Sequence, residues 1–494
     1  MQDNLPDKPS PGRLFLSVFP SIMLPMFLAV VDQTIVATAL PNIAASLGGV
    51  ERISWVVVAY LLAATIAAPV YGQLRDVWGG KRMMFVALGI FLLASLACAA
   101  STSVEMLSFA RVLQGLGGGG LMTLSQALIG EAIPPRERAR FQGHLAGVAV
   151  SSSTFGPIVG GLLTQHFGWR SIFLVNLPLG LLAVFMTLRL EPREPRAQAW
   201  TFDTMGLVLF VAFITPLLLA LQQAQRMSMS ALPSFLVLAT VGAVALVALV
   251  MRERRAPYPL LPIHLLRQAT IWRSDALAAC HGATLVSLIT FIPIYLRVLR
   301  GTSAAETGLL LLPLMFGVGG GSMLTGRVVS RTGLTTIFPT VGLIFATLLL
   351  VLLSIFAGNL GPRQLSLYLF GCGLFMGTVM GVVQVTVQNA AGAASLGSAA
   401  ASVQLSRSIG AAVGTALVGT VLFATLSLSD PDTAGLFANL VQQGPDGLAS
   451  LPPARYAIVQ SGIATAFSAA FLTMAAFAAI GLWLAWSIPT RRLS

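Results

Sequence analysis

Between Leu14 and Pro41 the chain is almost wholly apolar, and one carboxylate, Asp32, is set into its far third. Counted back from Pro41, where the helix is expected to break, Asp32 lies about 13 Å below that end at roughly 1.5 Å per residue. An ionisable group at bilayer depth costs roughly 2.5–3.5 kcal/mol even on a lenient insertion scale. Asp32 is therefore either a proton-binding site whose charge can be switched or a polar contact between helices. A later run, 106–128, carries Arg111 about six residues, or 9 Å, below its entry near Glu105. Opposite charges at one level on neighbouring helices lower each other's desolvation cost. Whether the pair is made or broken changes how readily the carboxylate takes a proton. A static pair holding two helices together is the alternative.

After Arg111 the chain reads Gln114-Gly115-Leu116-Gly117-Gly118-Gly119-Gly120. Glycine at this density weakens a helix and serves where another backbone approaches closely or the helix must bend. Beside Arg111 and Gln114 it suggests a polar lining on a deformable helix. In the run 141–164, Pro157 removes a helical donor and clashes with the preceding turn, so a kink is expected there. Gly156 and Gly160 make a GxxxG face next to Gly161, either packing glue or part of a gate. The segment Gly72-Gln73-Leu74-Arg75-Asp76-Val77-Trp78-Gly79-Gly80-Lys81-Arg82 sets one anion among three cations. Asp76 can pair with an arginine and sit against a helix N-terminus, whose dipole favours an anion. Gly72, Asp76, Gly79, Lys81 and Arg82 thus form a candidate latch. Asp275, one residue into the run 274–296 beside Arg273, is expected at the membrane interface, with His281 a turn or two deeper. Gln33, Thr34, Gln114, Asn176, Asp275 and His281 are the candidates to line a substrate cavity.

Membrane-spanning helices must position these residues. Of 494 residues, 56% are hydrophobic and 9% charged, against about 25% charged in soluble domains; so few charges cannot cover a soluble surface. A hydrocarbon core of about 30 Å takes about 20 apolar residues per helix. That ruler marks fourteen runs, near 14–38, 53–74, 83–101, 106–128, 141–164, 170–188, 203–221, 233–251, 274–296, 308–326, 335–357, 365–387, 406–428 and 460–487. With both termini cytoplasmic, the inner segments hold 21 of the 29 Lys and Arg and the outer ones seven, Arg111 lying within a span. The positive-inside rule demands such a bias, which one missed or invented span would scramble. The outer segment 429–459 is the long one, rich in Gly and Pro and carrying Asp430, Asp432 and Asp446.

A weak repeat divides the chain into parallel halves: Gly72-x-x-x-Asp76-x-x-Gly79 after the second run and Gly326-x-x-x-Ser330-x-x-Gly333 after the tenth. The expected organisation is a cytoplasmic tail at 1–13, a six-helix bundle at 14–190, an inserted two-helix hairpin with flanking loops at 191–270, a second six-helix bundle at 271–488 and a cytoplasmic tail at 489–494. Cys98, Cys280 and Cys372 all lie in apolar runs without a CxxC, so neither a disulfide framework nor a zinc site is indicated. The net charge of +12 resides in short loops between apolar runs, which a membrane explains better than nucleic acid. No GxxxxGK[ST] or HExxH occurs, and no nucleophile–base set is visible. ATP-driven transport and enzymatic catalysis are disfavoured, and no cofactor or metal is indicated.

The motifs resemble those of the major facilitator superfamily, in particular its 14-span drug:proton antiporter branch (EmrB/QacA-type). Val31-Asp32-Gln33-Thr34-Ile35-Val36-Ala37-Thr38-Ala39-Leu40-Pro41 is similar to that branch's first-helix motif, with Val31 in place of a leucine. Gly72 to Arg82 resembles the loop motif between helices two and three. Arg111, Gln114 and Gly115 match the fourth-helix motif linked to proton coupling, and Gly156-Pro157 with Gly160-Gly161 matches the fifth-helix motif of antiporters. Pro293-Ile294-Tyr295-Leu296, Leu312-Pro313 and Arg407-Ser408-Ile409-Gly410 extend the resemblance into the second half. The run 308–326 lacks the acidic residue that some relatives use there for dicationic substrates.

The resemblance implies an all-α polytopic membrane protein of the major facilitator fold, with 14 transmembrane helices arranged as two six-helix bundles plus an inserted pair. It implies proton-coupled efflux of small amphipathic or cationic compounds by alternating access, from a bacterial cytoplasmic membrane. Asp32 and Arg111 would couple the proton, and the Gly72–Arg82 and Gly156–Gly161 segments would gate. A periplasmic adaptor and an outer-membrane channel are the expected protein partners in a two-membrane cell. A dedicated proton-coupled exporter of one metabolite, such as a siderophore or amino acid, is the alternative.

Overall fold

The computed structural model describes residues 11–48, 52–190, 201–226, 232–261, 263–356, 358, 360–430, 433–437, 440 and 452–492. All fourteen apolar runs lie on helices. They are α1 (Pro11–Leu47), α2 (Trp55–Trp78), α3 (Gly80–Ala99), α4 (Val104–Ala132), α5 (Pro135–Phe167), α6 (Ser171–Leu174) and α7 (Asn176–Leu188), α8 (Thr204–Arg226), α9 (Leu232–Glu253), α10 (Ala269–Arg300), α11 (Ala304–Thr332), α12 (Ile337–Phe356), α13 (Pro362–Ala391), α14 (Leu396–Ser429) and α15 (Pro453–Ser487). β structure among the described residues is one bridge, Leu334 to Arg492. Thirteen spans, with α6 and α7 counted together, are long and apolar enough to cross a membrane by length and composition. The fourteenth run is α4, whose glycines and charges lower its hydropathy. Large apolar side chains face outward on many helices, among them Leu93, Phe109, Leu181, Val244, Leu367 and Trp486. Helices satisfy their own backbone hydrogen bonds, so such surfaces are stable in lipid.

Two expectations about helix ends are corrected. α1 does not break at Pro41; Pro20, Pro25 and Pro41 all lie inside it, and it runs on to Leu47. Proline is tolerated in spanning helices because neighbouring groups re-satisfy the freed backbone positions. Asp32 is consequently fifteen residues, about 22 Å, from that end. The sixth run is not one continuous helix either: a turn at Val175 separates α6 from α7. Residues 431–432, 438–439 and 441–451 of the long segment 429–459 lie outside the described residues, as do 1–10 of the N-terminal tail.

By contact, the chain groups into two units: residues 1–134, 151–200 and 394–401, and residues 135–150, 201–393 and 402–494. In the first, α4 packs on α2, α3 and α1, and α7 packs on α1 and α3. In the second, α13 packs on α10, α11 and α12, α15 packs on α10 and α12, and α8 and α9 form a hairpin. Asp203 closes that hairpin: its Oδ1 accepts from Gly206 N (3.0 Å) and from Arg252 Nη2 (3.0 Å).

The sequence repeat has a structural counterpart in each unit. Gly79 ends α2 at φ 90°, and Gly333 ends α11 at φ 71°, both in a region that side chains disfavour. A Cβ at Gly72 would strike the Gly397 carbonyl and Ala401 in the first turns of α14. A Cβ at Gly326 would strike the Ala139 carbonyl in the first turns of α5. Each repeat glycine thus lets a helix end touch the backbone at another helix's start.

Candidate functional site

Asp32 is fully buried inside the first unit, and Arg111 is 1% exposed. Arg111 Nη1 donates to Asp32 Oδ2 at 2.5 Å. Gln114 Nε2 and Asn176 Nδ2 each donate to Asp32 Oδ1 at 2.8 Å. The carboxylate therefore collects three donors from two other helices, one of them charged. The same Arg111 Nη1 donates to Gln114 Oε1 (2.7 Å), and Arg111 Nε donates to the Val56 carbonyl (3.1 Å). The guanidinium lies over the Tyr60 ring, 4.2 Å from its centroid. Tyr60 in turn donates its hydroxyl to the Ala29 carbonyl (3.2 Å). Ser95 Oγ accepts from Gln114 Nε2 (2.8 Å) and Asn176 Nδ2 (3.3 Å), and donates to the Phe91 carbonyl (2.9 Å). One acceptor in this shell, Asn176 Oδ1, has no donor.

Packing explains how five helices converge here. A Cβ at Gly115 would strike the Tyr60 carbonyl and Ala63, at Gly118 the Tyr60 hydroxyl, and at Gly119 the Ala64 backbone. At Gly117 it would strike the Phe91 backbone of α3, and at Gly120 the Tyr71 ring of α2. The glycines of α4 are thus spent on backbone approach to α2 and α3, which brings Tyr60 and Ser95 to the charges. Asn176 is delivered by the turn at Val175, which makes it the first residue of α7. An apolar cluster including Val36, Ala39, Val56, Leu107, Trp169 and Phe173 packs on the same helices. Buried among these helices, the ion pair is held by its own hydrogen bonds.

A family model described as Major Facilitator Superfamily matches residues 22–415. The chain belongs to that superfamily. It is 31% identical over 470 residues, covering 95% of this chain and 68% of the relative, to the uncharacterized MFS-type transporter Rv1877 of Mycobacterium tuberculosis (strain ATCC 25618 / H37Rv). It is 30% identical over 403 residues, covering 81% of this chain and 74% of the relative, to the multidrug transporter protein MdtP of Bacillus subtilis (strain 168). The crystal structure of the human organic anion transporter MFSD10 (TETRAN) shares the fold, with a TM-score of 0.67 at 14% identity over 97% of this chain and 100% of that one. The protein is a major facilitator transporter, an all-α multi-pass membrane protein and not an enzyme.

The transporter's other candidate residues fall in several places. Asp76 accepts from Gly397 N (2.8 Å), Ser398 N (2.9 Å) and Ser398 Oγ (2.9 Å) at the first turn of α14, and from Arg75 Nη1 (2.8 Å). It meets the helix N-terminus that its charge suggested. Arg75 also pairs with Glu131 at the end of α4. Lys81 donates to the carbonyls of Leu188 (2.8 Å) and Leu190 (2.5 Å) at the end of α7, and Arg82 is exposed. On α5, a Cβ at Gly156 would strike Thr34, and at Gly160 would strike Thr38 and Ile35; Thr34 Oγ1 lies 3.4 Å from the Ser152 carbonyl. Gly161 has nothing within 4 Å, so it takes no part in that face. α5 is helical straight through Pro157.

Of the cavity candidates, Gln114 and Asn176 belong to the Asp32 cluster, Thr34 to the α1–α5 contact, and Gln33 is half-buried on α1. Asp275 and His281 lie in the second unit. Asp275 is 5% exposed, packed among helices. Arg273, two residues before it, donates to the Ser487 carbonyl. Sequence reasoning missed Ser95, Tyr60 and Glu131. Glu131 carried a readable signal, a carboxylate at the end of an apolar run. Ser95 carried none.

Proposed function

We propose that this transporter exports small amphipathic or cationic compounds in exchange for protons, with Asp32 as the proton-binding group. The observation that carries the reading is the buried Asp32–Arg111 pair, a carboxylate whose charge is balanced by one guanidinium. Protonating Asp32 would remove the charge-assisted bond and free Arg111 to its remaining partners, Gln114, Val56 and Tyr60. The new carboxyl O–H would need an acceptor. Turning the Asn176 amide would present its unused Oδ1 and withdraw a donor that only the charged form requires. Proton binding would thereby change which helices α1 holds.

The named relative MdtP supports multidrug export as the substrate class. The 21-to-seven bias of basic residues supports cytoplasmic termini, and we place the protein in a bacterial cytoplasmic membrane. A periplasmic adaptor and outer-membrane channel belong to the same proposal. One charge crossing the membrane supplies about 2.3 kcal/mol per 100 mV, or roughly a fifty-fold concentration gradient.

The test is proton movement on adding cationic dyes to inverted vesicles, wild type against Asp32→Asn. Dye-driven proton flux lost in a folded Asp32→Asn supports the mechanism. Undiminished flux removes Asp32 from it. An inert wild type would point to a dedicated metabolite exporter.

A further inference from the structure

We propose that Asp275, in the second unit, is a further proton-binding carboxyl that works independently of the Asp32–Arg111 pair. Asp275 is as deeply enclosed as a core residue, at 5% exposed, yet has no cation in ion-pair reach among the described residues. Its Oδ1 receives a single long bond, 3.4 Å from Ser402 Oγ on α14, and its Oδ2 has no partner among the described residues. Asp32, by comparison, has three donors, one of them a guanidinium. A carboxylate taken out of water without a counter-charge is strongly disfavoured, whereas the neutral acid needs only ordinary hydrogen bonds. The group at this position therefore carries a proton while the helices are packed as they are here.

The surroundings offer no substitute charge. Besides Asp275, α10 carries Arg273, Cys280, His281, Tyr295, Arg297 and Arg300; the other charged residues near this end are Arg267 before it, Arg407 on α14, Arg327 and Arg331 on α11, and Arg491 and Arg492 after α15, and among the described residues none of them forms an ion pair with Asp275. Arg273 is committed to the Ser487 carbonyl, and His281 Nε2 faces the Met376 carbonyl at 3.1 Å. The half of α15 nearest this end, and the matching end of α13, contribute no ionisable side chain.

Asp275 also stands at a seam whose opening would change its solvation. A Cβ at Gly282 would strike the Arg407 carbonyl, at Gly410 the Ala279 backbone, and at Gly414 the Ala283 backbone. Asp275 lies two turns before Gly282 on the same face of α10, so it caps the start of this backbone-to-backbone contact between α10 and α14. Parting the two helices would admit water to the carboxyl, and the O–H proton would pass to that water, leaving a solvated carboxylate. Reclosing would require the proton back. If the transporter is a proton-coupled exporter as proposed above, one proton on Asp32 and one on Asp275 give two per cycle. Exchange against a monovalent cation then moves net charge and responds to voltage as well as to the pH difference.

The deciding experiment needs no substrate. Infrared difference spectra of the full-length protein in lipid nanodiscs, titrated from acid to alkaline, are compared for wild type, Asp275→Asn, Asp32→Asn and Ser402→Ala. The expected result is a carboxylic-acid C=O band that fades as pH rises, is missing in Asp275→Asn, persists in Asp32→Asn, and shifts in Ser402→Ala. No band assignable to Asp275 at any pH would overturn the proposal. So would an Asp275 band that never fades, since the proton would not be exchangeable. Ser402→Ala keeps the test decisive if Asp275→Asn does not fold. In reconstituted vesicles, uptake of tetraphenylphosphonium driven by voltage alone should be lost in Asp275→Asn while pH-driven uptake remains. Voltage-driven uptake unchanged in that variant would overturn the two-proton cycle, and loss of coupling in Asp32→Asn reports separately on the first site.

Discussion

Removing Arg111 should be far more damaging than removing the charge of Asp32, and removing both should undo most of the damage. Arg111→Met leaves Asp32 fully buried with two neutral amide donors, Gln114 and Asn176, and no cation. Breaking a buried pair from one side typically costs about 3–5 kcal/mol, because the remaining charge is left uncompensated. Asp32→Asn is milder. The new amide oxygen can still accept from Arg111, whose guanidinium keeps the Val56 carbonyl, Gln114 Oε1 and the Tyr60 ring. In Asp32→Asn/Arg111→Met no charge remains in the cluster, so the double variant should lie closer to wild type than Arg111→Met does. The coupling should be about 2–3 kcal/mol, at the upper end for residues that share a network. Apparent melting can be followed with a thiol-reactive fluorophore, since Cys98 and Cys372 are buried and Cys280 is partly so. At about 2–4 °C per kcal/mol for a unit of 150–250 residues, Arg111→Met should melt roughly 6–20 °C below wild type. Additive shifts in the double variant, or an Arg111→Met shift no larger than that of Asp32→Asn, would refute the reasoning.

Three further outcomes follow from the geometry. Asp76→Ala removes the acceptor for two backbone N–H groups at the start of α14, a loss of about 0.5–2 kcal/mol for a helix cap; amide exchange at Gly397 and Ser398 should accelerate several-fold, and unchanged exchange would show that the cap contributes nothing. Gly160→Ala must displace Thr38 or Ile35 on α1 and should destabilise by about 1–3 kcal/mol, whereas Gly161→Ala meets open space and should leave melting and transport at wild-type levels, so equal effects at the two positions would contradict the α1–α5 contact. Glu105 is held below the usual carboxylate range by its own backbone N–H and by Arg52. Any stability from this pair is present above the ordinary glutamate range and lost as pH falls through the depressed one, but both side chains are exposed. Arg52→Ala should therefore leave the melting temperature unchanged, and a marked drop would mean that the pair is not the solvated contact seen here.

The spans were legible in the sequence because the thickness of the hydrocarbon core sets a length for each helix; the Asp32–Arg111 pair was legible from its opposite charges inside spans, although the depth counted from Pro41 fell short once α1 ran on to Leu47. Two ionisable groups at like depth have few ways to be stable apart. The rest of the cluster was less legible. Asn176 lies beside the turn at Val175, where Pro178 has no N–H to donate back to the Leu174 carbonyl, and the sequence marks that interruption without saying which helix Asn176 then meets. Ser95 is one hydroxyl in an apolar run, of the kind that most often bonds its own helix, as it also does here to Phe91. Arg273 and Asp275 lie two apart on α10, a spacing at which side chains do not face each other: the arginine turns to Ser487 of α15 and the carboxylate to Ser402 of α14. Which neighbouring helix each would meet could not be read from the chain order.

The span that fails on hydropathy is the one the site is built upon. α4 carries Arg111, Gln114 and five glycines between 115 and 120, and each glycine inside a helix costs roughly 0.5–1 kcal/mol relative to alanine. For a helix selected only to cross the bilayer, such a composition would be a poor choice. Every one of those glycines is, however, in backbone or ring contact with α2 or α3. Those contacts set Tyr60 beneath the guanidinium and Ser95 beside both amides. A bulkier α4 would hold its neighbours further off and leave the buried Arg111 with fewer partners. The local weakness of the helix and the stability of its buried charge are thus two consequences of the same residues, and rules broken locally for a gain elsewhere are what a functional site is expected to show.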